Sequence, residues 1–197
     1  MKRIVLAGLA GAVVYFVWQM LTWMLLPIHG PTVGPLPDEA PVRDLLVEQK
    51  VETGVYIVPY GSEEAMMDPE SEYMKRHTDG PIFSIYYQQH GAQPMAMSVL
   101  AIGFLTDFLA ASIVATLLCC AVGGCCCKSY LQRVGFVTAF GFFLALTGHV
   151  SYFNWMHFPA DYTAMFVLDV IVGWLLAGLV IAAIIKQPPA TCSINTT

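Results

Sequence analysis

Apolar residues in this chain collect in four long runs, near residues 4–26, 96–122, 132–152 and 162–185. Each run is long enough for a helix across a hydrocarbon core, which takes about 20 residues at about 1.5 Å rise each. The few polar positions inside the runs share stripes with small residues. The stripes are Ala7, Gly11, Tyr15 and Gln19 on the first run, Asp107, Ala111 and Ala115 on the second, Gly141, Ala145 and His149 on the third, and Asp169, Gly173 and Ala177 on the fourth. Lipid tails are as apolar as leucine, so helices associate in a bilayer where small residues let backbones approach and polar residues share hydrogen bonds. The pattern predicts an all-α membrane bundle of four transmembrane helices.

Residues 27–95, between the first two runs, follow a different rhythm. A Pro/Gly-rich linker from Pro27 to Pro37 leads to Asp38, a candidate N-cap for a helix with Val42, Leu45 and Leu46 on one side. Two β-rich runs follow, Val55-Tyr56-Ile57-Val58 and Ile82-Phe83-Ser84-Ile85-Tyr86-Tyr87, separated by a polar, partly helical stretch interrupted at Pro69. The expectation is a small extracytoplasmic α/β cap. A segment of this size makes a marginal core alone, so the cap is expected to rest on the bundle or on a partner. The chain then divides into transmembrane helix 1 (residues 1–26), the cap (27–95), transmembrane helices 2 to 4 (96–186) and a tail (187–197).

Composition sharpens the picture. With 57% hydrophobic and 12% charged residues and a mean hydropathy of +0.64, disorder is excluded, and the clustered cysteines exclude a disulfide-stapled secreted module. A net charge of -5 leaves no basic surface for nucleic acid. Within residues 27–94, eleven acidic residues face four basic ones, Arg43, Lys50, Lys75 and Arg76. That imbalance reads first as a solvated surface and second as a docking face for a cationic partner.

Orientation follows from the basic residues flanking the runs. Lys2, Arg3, Lys128, Arg133 and Lys186 fall on one side, and the loop from Ser151 to Tyr162 has none, so both termini are expected to be cytoplasmic. The first run follows Lys2 and Arg3, is too long for the apolar region of a signal peptide and lacks a small-residue cleavage site, which predicts an uncleaved signal anchor.

Counting rise from the outer ends puts His149 roughly 5 Å deep, Asp169 and Gln19 roughly 10 Å and Asp107 roughly 16 Å. A carboxylate facing lipid at such depths costs a few kcal/mol, so Asp107 and Asp169 are expected to turn inward toward His149, Gln19 or each other. The cluster reads as polar glue fixing the bundle's register, as a proton or cation site, or as a catalytic acid and base. A metal set of His149, His157 and Asp161 is conceivable within the aromatic segment between the last two runs, although its spacing matches no closed zinc pattern. Met66, Met67, Met74, His77, His90, Met95 and Met97 form a thioether and imidazole inventory suited to copper, and read first as packing residues. Cys119, Cys120, Cys125, Cys126, Cys127 and Cys192 are expected to be free thiols facing a reducing compartment. No nucleophile elbow, phosphate-binding loop, dinucleotide fingerprint or haem-attachment motif occurs, so no cofactor is expected and an enzyme reading has no positive support.

Phe16-Val17-Trp18-Gln19-Met20-Leu21-Thr22-Trp23-Met24-Leu25-Leu26-Pro27, Gly54-Val55-Tyr56-Ile57-Val58-Pro59 and Gly80-Pro81 give the chain its distinctive segments. In these it resembles an uncharacterised family of small bacterial four-span inner-membrane proteins with an extracytoplasmic insert after the first span. The resemblance implies a bacterial inner membrane and no particular activity. The combined expectation is a non-catalytic accessory or partner-binding subunit, in contact with the lipid bilayer and with another membrane protein or a second copy. Its alternatives are a small proton- or cation-conducting protein using Asp107, Asp169, His149 and Gln19, and extracytoplasmic copper or zinc handling.

Overall fold

The computed structural model describes residues 1–26, 28–123, 127 and 129–186. Four of its helices are long and apolar enough to cross a membrane: Lys2–Leu25, Met97–Gly123, Tyr130–Met156 and Ala160–Ile184. The expected tail, together with Pro27, Lys128, Cys125, Cys126 and Cys192, lies outside the described residues.

The first long helix is α1 (Lys2–Met20) continued by a π-helical turn, Leu21–Leu25. It stops at Leu26, which is extended at φ -94° and ψ 126°. A residue preceding proline is driven out of helical geometry, which accounts for the stop. The segment that follows forms α2 (Ala40–Glu48), β1 (Gly54–Val58), α3 (Glu63–Met67), α4 (Glu72–Asp79) and β2 (Phe83–Tyr87). The N-cap of α2 is Glu39, one residue after the expected Asp38, whose carboxylate instead accepts from the Ala40 N–H at 3.3 Å. Ser62 and Ser71 cap α3 and α4 by accepting from the backbone N–H of Ala65 and Met74. The strands pair antiparallel, with Gly54 opposite Tyr87 and Val58 opposite Phe83.

Helix α5 (Met97–Gly123) returns through the bundle. Ser129 and Gln132 then form a reciprocal capping box at the start of α6 (Tyr130–Leu144). A second π-helical turn, Ala145–Val150, leads into α7 (Ser151–Met156), so the segment expected as an interfacial loop begins as helix. Phe158 precedes Pro159, and the helix ends just before them, at His157 with a left-handed φ of 54°. Helix α8 (Ala160–Ile184) closes the bundle.

Helix α8 packs between α1 and α6, and α1 also packs on α5. The core they enclose is built on Ala7 and Ala12, Ala111, Ala115 and Leu118, Val137, and Trp174, Ala177 and Ile181. Small residues set the spacing. A Cβ on Gly173 would lie 2.6 Å from the Tyr15 ring, and one on Gly11 would lie 2.6 Å from the Ile181 side chain. The small-residue stripes are therefore used inside the chain. At the end away from the cap, Tyr130 donates to the Leu179 carbonyl at 2.9 Å, and buried Arg133 donates to that of Ala182 at 3.2 Å. These contacts set cationic and hydroxyl donors on the carbonyl end of α8.

The cap is packed differently. Of residues 28–95 only His29 and Pro59 are buried, and α2, α3 and α4 bury none of their side chains.

Candidate functional site

Asp169, on α8, is 8% exposed and lies in the half of the bundle nearest the cap. Its Oδ2 is 3.2 Å from Nε2 of His29, a residue just past the first long helix that is itself only 4% exposed. The tautomer of the imidazole sets which of the two groups donates in this contact. Thr22, fully buried in the first π-helical turn, reaches the same Oδ2 at 3.5 Å, and the Trp18 indole donates to the Asp169 main-chain carbonyl at 3.1 Å. Three residues of one segment thus bind one residue of the last helix.

Aromatic rings enclose this pair. His29 stacks on Trp23 with centroids 4.3 Å apart and planes 10° apart, and Phe166 lies 5.1 Å away on α8. Phe166 also contacts Tyr162 at 4.4 Å and His149 at 5.2 Å. The two π-helical turns carry Thr22 and Trp23 on one side and His149 on the other. A π turn inserts one residue into the helical ladder and rotates the side chains beyond it, a device frequent at functional sites.

The four residues singled out in the sequence are distributed around this pair. Asp169 is at its centre, and His149 reaches it through Phe166, half-buried. The Gln19 main-chain carbonyl accepts from the Thr22 hydroxyl at 3.1 Å. Asp107 is buried on α5, and Tyr15 of α1, whose ring is 5.3 Å from that of Trp174, lies within electrostatic reach of both carboxylates. Sequence reading left out His29, which sits in a segment that reads as linker. Its signal is an imidazole placed soon after an aromatic-rich span end, within reach of an intramembrane acid.

Polar capacity remains inside the bundle. Asp107 Oδ2, Asp169 Oδ1, His29 Nδ1 and Thr163 Oγ1 are buried without a hydrogen-bond partner among the described residues. The site offers both donors and acceptors to a small polar guest or a proton.

The expected metal set is not gathered. His149 packs on Phe166, Asp161 accepts from the Tyr162 N–H at 2.8 Å, and His157 turns toward the cap. Among the described residues no three His, Cys, Asp or Glu side chains form a group able to hold a metal ion. Of the cysteines, Cys119 and Cys120 are exposed on α5 and Cys127 is buried, all as free thiols.

A second feature lies between cap and bundle, a cleft of about 530 Å³. Its cap wall includes Ile57, Val58, Phe83 and Tyr86, and its bundle wall includes Trp155, Met156, Phe158 and Tyr162. This volume is in the range of ligand pockets. No protein-family model, curated protein or solved structure matches the chain.

Proposed function

We propose that the chain is a multi-pass protein of a bacterial cytoplasmic membrane, akin to the four-span family it resembles, with both termini cytoplasmic. In this reading it serves as a non-catalytic, partner-binding subunit whose cap docks outside the membrane. The observation that carries the reading is the cap's lack of an interior. Val42 and Leu45 on α2, Ile57 on β1 and Phe83 on β2 are 42 to 52% exposed. Ordered segments with apolar side chains left in water gain little against the conformational entropy they give up, so a covering surface is required. The acidic excess of the cap argues for a basic-rimmed, apolar partner surface, because two acidic caps repel each other.

The test is co-purification in mild detergent at low salt. A stoichiometric companion is expected, released at high salt and by Leu45→Glu while the thermal midpoint of the isolated protein stays unchanged. A lone monomer under all these conditions contradicts the reading.

The unpartnered carboxylate oxygens of Asp107 and Asp169 favour a second reading, proton or cation conduction. Fully buried Leu118, Val137 and Ile181 fill the interior farther from the cap, so any polar path stops within the bundle of a single chain. Equal proton and cation flux into liposomes for the natural protein, Asp107→Asn and Asp169→Asn would dismiss this second reading.

A further inference from the structure

His77 on α4 and His157 at the end of α7 both line the cleft and are in ring contact, with centroids 5.3 Å apart and planes at 63°. One belongs to the cap and the other to the bundle. No hydrogen bond engages either imidazole among the described residues. Met66 and Met156, one from each wall, line the same cleft, as does Tyr73, whose ring is 5.6 Å from that of His77.

We propose that His77 and His157 bind one cuprous ion between cap and bundle, with the thioethers of Met66 and Met156 as its soft supplementary ligands. A ligating imidazole nitrogen lies about 2.0 Å from its metal, so two rings on one ion have centroids at most roughly 6.4 Å apart. The observed separation of 5.3 Å lies within that limit. Ligand chemistry selects the metal. Zinc takes a fourfold set of imidazole, thiolate or carboxylate, and among the described residues no three such groups converge, whereas thioether with imidazole suits Cu(I).

The backbone supplies an independent observation. His157 is left-handed, with φ 54° and ψ 38°, at a helix end where glycine is the usual residue. A β-carbon there is disfavoured, and strained residues of this kind cluster at ligand clamps. Glycine would serve the turn better. Histidine gives up that ease and presents an imidazole to His77.

The experiment is anaerobic Cu(I) titration of the full chain in detergent against a chromogenic cuprous chelator, with its free cysteines first alkylated because thiolates would themselves take Cu(I), and with thermal unfolding of each metal-free variant alongside. The natural protein is expected to take about one Cu(I) per chain. Losing a direct ligand should weaken uptake by about 10-fold or more, since even a group that only orients a ligand is worth about that much. His77→Ala and His157→Gly are each expected to show that loss, and Met66→Leu a smaller one. His157→Gly is expected to unfold at an equal or higher temperature than the natural protein, so its loss of copper is not a loss of fold. His90→Ala serves as control and keeps full uptake. Copper uptake that survives both histidine substitutions, no uptake by the natural protein, or zinc held as well as copper would each overturn the proposal. These outcomes are separate from the companion test above, which involves no metal.

Discussion

The bundle and the cap solve opposite problems with the same chain. The bundle hides polar groups inside an apolar exterior, with Asp107, Asp169, His29, Thr22 and Arg133 all buried. The cap leaves apolar groups on a polar, acidic exterior and buries only His29 and Pro59. His29 belongs to both accounts, because the segment leaving the bundle is anchored by its imidazole on Asp169. The contrast teaches where each region draws its stability. The bundle is held by close backbone approach at small residues and by polar contacts made inside it. The cap has local hydrogen bonds and a two-stranded ladder, which alone is marginal in water.

Substitutions sharpen that contrast, and the largest effect is expected at the anchor. His29→Ala leaves the Asp169 carboxylate buried and without its imidazole, which should cost about 3–5 kcal/mol as read by the thermal midpoint in detergent. A loss much below that would mean that the anchor is dispensable. Gly173→Ala comes next. Its methyl group must displace the Tyr15 and Trp18 rings, an overpacking expected to cost about 1–3 kcal/mol in the same assay. Trp18→Phe removes one hydrogen bond to the Asp169 carbonyl, worth about 0.6–1 kcal/mol between helices in a membrane. The smallest effect is expected in the cap. Val42→Ser and Leu45→Ser should change the isolated protein's stability by no more than about 0.5 kcal/mol, because those side chains are already in solvent. A large drop would show that α2 has an interior to lose.

Much of the bundle was legible because its rules are local. Long apolar runs at residues 4–26 and 96–122 correspond to helices Lys2–Leu25 and Met97–Gly123, shifted by only a few residues. The cost of a carboxylate in lipid made Asp107 and Asp169 inward-facing on chemical grounds. The two π-helical turns were not legible, since a single inserted residue leaves the helical periodicity of an all-apolar run unchanged. They rotate Trp23 and His149 toward Phe166 in a way that no spacing argument contains. His29 was missed for a different reason. Linker composition marks where helix ends, and it says nothing about which linker residue folds back. The facing of His77 and His157 likewise depends on how the cap leans on the bundle, a long-range relation that neither segment encodes alone.

Hydrogen exchange on the natural protein, first purified alone and then in the membrane fraction where the proposed function places it, measures the contrast most directly. Opening of the cap is set by whatever covers it, and opening of the bundle by its own packing. The account expects β1, β2 and α2 to exchange fast in the isolated protein and at least about 10-fold more slowly in the membrane, while α5 and α8 stay protected in both. Cap amides equally protected in the two preparations would contradict it, because the cap would then be held by the chain itself.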